Sequence, residues 1–160
     1  MLNVTVLCVG KLKEAYWRDA CTEYAKRLSA FCRFQVVELD ETRLPEKPSA
    51  AQIEMALAAE GKQMLSKIQN GAAVIALCIE GKTCSSPELA DLLGDIAVGG
   101  RSQVVFCIGS SFGLSPEIKA RADRRLSMSP MTFPHSLARV MLMEQVYRAF
   151  SILNNSKYHK

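Results

Sequence analysis

The polar residues best suited to chemistry lie near the C-terminus. An imidazole has an ordinary pKa of about 6.5 and can move a proton at neutral pH, so His135 and His159 are candidate acids or bases, together with the Tyr158 hydroxyl. Arg139 and Arg148 are the cationic candidates. The sequence contains no Ser–His–Asp set, pair of glycosidase carboxylates or cluster of metal ligands. The reactive group must therefore come from a cofactor, or the protein is not an enzyme.

A first candidate cofactor segment is GSSFG at residues 109–113, which follows the apolar run QVVFCI. Ligands of parallel α/β sheets bind beyond the carboxyl ends of the strands. Gly109 and Gly113 allow close approach of a ligand to the backbone, and a helix opened by Ser115 would point its amides the same way. The segment is neither GxGxxG nor a P-loop. Taken alone, it is more typical of a plain turn.

A second candidate segment is MSPMTFPH at residues 128–135. Pro130 and Pro134 impose an irregular path, and irregular backbone leaves amides and carbonyls that need partners. An adenine edge could supply those partners, with Met131 and Phe133 giving apolar contact. The alternative is a rigid connector into the last helix. Two such segments at the ends of strands in one sheet predict a cofactor cleft.

These segments require elements that place them side by side. Buried-type apolar runs alternate with segments of helical periodicity along the whole chain, and Ser49, Ser86 and Ser115 are the predicted N-caps of three helices. The alternation predicts one α/β domain over residues 1–160, with a parallel-type sheet and helices on both faces. The predicted strands cover residues 2–9, 34–39, 72–79, 103–108 and 125–128, and the first and last helices cover residues 15–28 and 136–154.

The last helix is apolar around nearly its whole circumference. Such a helix needs cover on two sides, one of which can be its own sheet. A second copy of the chain is the simplest source of the other, which predicts a homodimer. Burial by an internal neighbour is the alternative. The apolar residues are Leu137, Val140, Met141, Leu142, Met143, Val146, Tyr147, Phe150, Ile152 and Leu153.

Charge and cysteine content limit the possible partners and the cellular location of the protein. The formal charge is +4, and residues 117–160 hold eight basic and three acidic residues, so this quarter carries the excess and could attract phosphates. A solvated surface explains the same count. The N-terminal residues do not resemble a secretion leader and no apolar run reaches about 18 residues, so we expect a cytoplasmic protein with no membrane span. The six cysteines, without a CxxC pair, are expected to be free thiols rather than zinc ligands.

Several motifs together resemble one family. They are VLCVGKLK at 6–13, IEGK at 79–82, FCIG at 106–109, LSMSPMTFPH at 126–135, EQVYRAF at 144–150 and YHK at 158–160. In this combination the chain closely resembles the RlmH family of SPOUT-class methyltransferases, also called the YbeA family. The resemblance extends from the first strand to the last residue.

The resemblance implies an α/β fold with a deep C-terminal trefoil knot and a homodimer. It implies S-adenosylmethionine as methyl donor, no metal, and 23S rRNA of the assembled ribosome as partner, with N3 of a pseudouridine in helix 69 as the methylated atom. By position, the cofactor contacts of the family fall on Leu77, Gly109, Met128, Ser129, Pro130, Met131, Thr132 and Phe133.

The same resemblance leaves the proton acceptor open among His135, Tyr158, His159 and solvent. Arg139, Arg148 and Lys160 are the expected RNA contacts, and the C-terminal tail is expected to fold over the cofactor, often from the partner subunit.

Two positions differ from the usual family pattern: Ser110 stands where glycine is common and Cys78 where an acid is common. A ribosome-binding factor that has lost the donor, and a flavodoxin-like enzyme, are the competing hypotheses.

Overall fold

A computed structural model describes residues 1–160 and shows five strands alternating with five helices. We label the strands β1–β5 and the helices α1–α5 in chain order. Their bounds are β1 Asn3–Val9, α1 Ala15–Leu28, β2 Arg33–Leu39, α2 Ala50–Ser66, β3 Ala73–Lys82, α3 Ser86–Val98, β4 Gln103–Ile108, α4 Pro116–Arg121, β5 Arg124–Leu126 and α5 His135–Leu153.

All five strands belong to one parallel sheet with the order β2-β1-β4-β3-β5. Alternate side chains of a strand point to opposite faces of the sheet. Because consecutive residues of the central strands are apolar, both faces of this sheet are apolar. Val6 and Phe106 face a core shared with α1, α3 and α5, whereas Leu7 and Cys107 face a core shared with α2 and α4. The predicted α/β class, with helices on both faces, is confirmed.

The predicted N-caps are correct at two helices and wrong by one residue at the third. Ser49 and Ser115 accept hydrogen bonds from the Gln52 and Ile118 amides, at 3.1 and 3.3 Å. The cap of α3 is Ser85, which forms a reciprocal capping box with Glu88. Ser86 lies inside the helix and donates instead to Gln145 Oε1 at 2.5 Å. Pro87 is compatible with any position in the first turn of a helix, so its presence does not indicate which of the two serines is the cap.

The region where β3 meets β5 differs from the prediction. β3 continues to Lys82 rather than ending at Ile79, and Leu126 of β5 is in register with both Leu77 and Lys82. Residues 78–81 therefore bow out around Leu126. A side chain at Gly81 would lie 2.7 Å from the backbone of Arg125, so this crossing requires glycine. The deep trefoil knot remains a prediction.

Helix α5 is covered largely by its own chain. It packs against both α1 and α3, and Leu142, Val146 and Phe150 are buried in the core shared with them. Internal neighbours thus supply much of the cover for which sequence analysis invoked a second copy. No helix has both the length and the apolarity needed to cross a membrane.

Candidate functional site

A cleft of about 650 Å³ lies at the carboxyl ends of β3, β4 and β5. Its walls come from residues 109–114, from residues 126–135 and from the outer end of β3. The cleft brings together seven of the eight residues expected to contact a cofactor: Leu77, Gly109, Met128, Ser129, Met131, Thr132 and Phe133. Pro130 lies in the same segment but does not line the cleft.

Residues 109–113 form a tight turn whose shape depends on its two glycines. The Gly113 amide donates to the Ser110 carbonyl at 2.9 Å, and a Cβ on Gly109 would overlap the Gly113 carbonyl. Gly113 has φ of +90°, which L side chains rarely adopt. Ser110 has no positive φ, so the serine that replaces the usual glycine causes no backbone strain here.

Residues 128–133 form the opposite wall and make no backbone–backbone hydrogen bond. The Met131 amide donates to Ser129 Oγ at 3.0 Å, and the Ser127 hydroxyl donates to the Ser129 carbonyl at 3.0 Å. The amides of Met128 and Thr132 have no protein partner and are free to bind a polar edge. Irregular backbone with unused donors, beside apolar side chains, suits a small-molecule site.

The rim of the cleft carries groups that sequence analysis did not identify. The exposed side chains Ile79 and Phe112 border it, as does an ion pair between Lys119 and Glu80. The hydrogen bond from Lys119 lowers the pKa of Glu80. The extension of β3 past Ile79 places Glu80 there, and this extension depends on pairing with β5, so no local signal reveals it.

Cys78, at the position where the family usually has an acid, is a neutral side chain. Burial raises the pKa of its thiol above the ordinary value, and Glu80 adds to the effect. The thiol lies 3.6 Å from the Ala76 carbonyl. It therefore provides no negative charge at neutral pH in place of a carboxylate.

His135 is the only one of the three proton-transfer candidates in the cleft of its own chain. It is the first residue of α5 and makes no capping hydrogen bond. Tyr158 and His159 lie elsewhere, on the C-terminal half of α5. Asn155, with φ of +54°, turns the chain back onto the helix, as asparagine does more readily than most residues.

The returning tail is held by an ion pair of α5. Glu144 and Arg148, which approach to 2.5 Å, both contact it. The Tyr158 hydroxyl donates to Glu144 Oε1 at 3.0 Å, and Arg148 Nη1 lies 3.3 Å from His159 Nδ1. Burial, followed by the hydrogen bond to Glu144, raises the pKa of Tyr158 to about 12. In this position Tyr158 retains its proton at neutral pH.

The three expected RNA contacts differ in availability. Arg139 is buried, with 4% of its side chain exposed, and donates to Glu38 Oε2 at 2.7 Å and to the Gly10 carbonyl at 3.2 Å. It fixes α5 to β2 and to the residue after β1 and presents no free face to a phosphate here, so RNA contact by Arg139 stays a prediction that requires this pairing to open. Arg148 is a quarter exposed and paired, and Lys160 is exposed.

The fold is that of a SPOUT-class methyltransferase. Residues 2–159 match the family described as "Predicted SPOUT methyltransferase", and the chain belongs to this family.

Within this family, the chain is similar over its whole length to proteins named "Ribosomal RNA large subunit methyltransferase H". The Oenococcus oeni protein is 48% identical over 160 residues, covering 100% of both chains, and the Clostridioides difficile protein is 47% identical over 159 residues, covering 99% of this chain and 100% of its own.

A solved structure titled as a probable methylase family protein from Haemophilus influenzae is similar in fold. Its TM-score is 0.52 at 12% identity, with 99% of this chain and 70% of that chain covered. At this identity the likeness concerns the fold alone.

Proposed function

We propose that this protein transfers a methyl group from S-adenosylmethionine to N3 of a pseudouridine in helix 69 of 23S rRNA, acting on the assembled ribosome. The observation that carries the proposal is the identity of 47–48%, over whole chains, with proteins named for methylation of large-subunit rRNA. A cleft at the carboxyl ends of β3, β4 and β5 supports it, because ligands of parallel α/β sheets bind there. We propose a cytoplasmic location because ribosomes are its substrate.

The cleft fits S-adenosylmethionine, which supplies a methyl group on a positively charged sulfur. The free amides of Met128 and Thr132 suit the adenine edge, and Met131 and Phe133 suit its faces. The turn at Gly109, with the small side chains of Ser110 and Ser111, lies on the wall where the methionine part would sit. The cofactor contacts proposed are therefore the eight expected from the sequence, with Pro130 acting through the path of the backbone.

The reaction needs an acceptor for one proton. N3 of pseudouridine carries an imide-like proton that is lost when the methyl is attached, and holding the two reactants in line supplies much of the acceleration. His135 borders the cleft and is the candidate acceptor within one chain. His159 and Tyr158 become candidates only if the tail reaches another cleft.

A homodimer would provide that second cleft. The tail of one chain docks on the C-terminal half of its α5, about six to ten residues beyond Ala138, the last helix residue at its own cleft, so roughly 9–15 Å of helix separates them. We propose that the tail of one subunit completes the cleft of its partner when RNA arrives. Arg148 and Lys160 would then contact phosphates.

The test is methylation of ribosomes that lack the modification, using labelled S-adenosylmethionine and mass spectrometry of helix 69 nucleosides. We expect a methyl on N3 of pseudouridine, and we expect Gly109→Ala to reduce the rate at least about 100-fold, because its Cβ overlaps Gly113. Ala120→Val, on the exposed side of α4, is the matched control and should keep full activity.

Two other results would count against the proposal in different ways. Binding of S-adenosylmethionine without transfer would indicate another RNA acceptor. No binding by the unaltered protein would favour the ribosome-binding factor.

A further inference from the structure

Glu60 of α2 is a buried carboxylate whose two oxygens are used unequally. The residue is only 4% exposed. Its Oε2 accepts a hydrogen bond from the Thr42 amide at 3.0 Å, which anchors the loop that follows β2. Its Oε1 is buried and has no hydrogen-bond partner in the protein. Because buried carboxylate oxygens are normally satisfied, the second oxygen indicates a missing partner.

The free oxygen lies at a small cavity between α2 and the segment that ends the glycine turn. The cavity measures about 10 Å³ and is bordered by Glu60, Gly113, Leu114 and Ser115. This is roughly the room that one water molecule requires. Gly113 and Leu114 also line the cofactor cleft, so the cavity lies directly behind the cleft wall.

Two features fix this wall against α2. Gly61 lets Ser115 pack so closely that a Cβ on Gly61 would overlap Ser115 Oγ. Ser115 Oγ accepts from the Ile118 amide, a bond that leaves its hydroxyl proton free for another acceptor. A water in the cavity would accept that proton and donate to Glu60 Oε1, and a buried water typically needs two to four such partners.

We propose that Glu60 is a positioning residue for the cofactor: one carboxylate oxygen holds the Thr42 amide, and the other binds a single buried water that bridges to the Ser115 hydroxyl. The bridge holds residues 113–115 in the shape that closes the back of the cleft. The role rests on the proposed function, because the cofactor concerned is S-adenosylmethionine. Glu60 itself does not border the cleft and acts only through the loop.

The test compares Glu60→Leu and Glu60→Gln with the unaltered protein, using calorimetric titration with S-adenosylmethionine. We expect Glu60→Leu to weaken binding at least tenfold and to speed hydrogen exchange of the amides in residues 109–116. Glu60→Gln should bind within threefold of the unaltered protein, because its carbonyl can accept from Thr42 and its amide can donate to the water. Glu54→Leu, an exposed position of the same helix, should change neither quantity.

Several outcomes decide between this role and simple core packing. Folded Glu60→Leu with unchanged affinity and unchanged loop exchange would overturn the proposal, even if its melting temperature fell. If Glu60→Leu does not fold, Glu60→Asp decides, since its shorter carboxylate cannot reach both partners; we expect a threefold to tenfold loss, and normal binding would contradict the role. A crystal structure with no water between Glu60 and Ser115 would overturn the bridge. Failure of the unaltered protein to bind at all would instead count against the proposed function.

Discussion

The two halves of α5 hold their polar residues in different ways. In the N-terminal half, Arg139 is buried and bonded to Glu38 and to the Gly10 carbonyl, while His135 borders a cleft built mainly from backbone. In the C-terminal half, Glu144 and Arg148 hold the chain terminus through part-exposed side-chain bonds. We call the N-terminal half the fixed half, because a buried ion pair holds it, and the C-terminal half the reserve half. The lining of the proposed donor cleft thus includes the start of the N-terminal half, whereas the C-terminal half holds the tail outside that cleft.

The largest effect is expected from removing residues 158–160. Methylation should fall at least about 100-fold, because the tail is proposed to complete the partner's cleft, a contribution typical of positioning and proton transfer. Affinity for S-adenosylmethionine should stay within twofold, since no tail residue borders the cleft of its own chain. Single-turnover methylation and calorimetry measure the two effects, with Lys157→Ala as the control. Normal turnover by the truncated protein would show that the tail has no part in the reaction.

A smaller effect, on stability, is expected from Glu38→Ala in the fixed half. Removing one partner of a buried pair leaves the other charge uncompensated, but Glu38 is about a third exposed, so we expect a loss of about 1–2 kcal/mol in the free energy of unfolding. Glu23→Ala breaks an exposed i,i+4 pair with Arg27 and should cost at most about 0.5 kcal/mol. Urea unfolding measures both. Equal losses for the two variants would contradict the contrast between a fixed and a reserve half.

The smallest effect is expected from Glu144→Gln in the reserve half. The carboxylate helps to raise the pKa of Tyr158 to about 12, so its neutralisation should move that pKa back toward the ordinary value near 10. The raised pKa stabilises the docked tail below pH 10, and this contribution is lost as the pH rises through about 12.

Ultraviolet titration of tyrosinate follows the change, and Tyr158→Phe identifies the signal. We expect methylation at neutral pH to fall less than about tenfold in Glu144→Gln, because the carbonyl oxygen of the new amide side chain can still accept the Tyr158 proton. An unshifted titration would mean that Glu144 does not hold the tail in solution.

Sequence reasoning succeeded where the determining forces are local. Ser49 and Ser115 were identifiable as caps because a serine directly before a helical run is a preferred N-cap, whose side-chain oxygen accepts from an amide of the first turn. The two loops of the cleft were found because glycines and prolines determine backbone shape by themselves.

Sequence reasoning failed where contacts between distant chain segments determine the burial of a side chain or the end of a strand. Arg139 is an exposed-type residue that pairing with Glu38, 101 positions away, brings into the core. Glu60 lies on a helix whose pattern does not mark one acid among several, and only its burial beside Ser115 distinguishes it. The end of β3 was placed too early because its last residue is in register with a strand 44 positions later.

The arc of residues 78–81 around Leu126 also restricts the order in which the chain can assemble. Leu126 takes its place beside both Leu77 and Lys82, and Gly81 packs so closely on the backbone of Arg125 that no side chain fits there. β5 therefore completes its native pairing only when both ends of the arc are in place. A polypeptide made from its N-terminus meets this order during synthesis, because the arc leaves the ribosome more than 40 residues before Leu126. A chain refolding from denaturant has no such order imposed on it, because the arc and β5 become available at the same time.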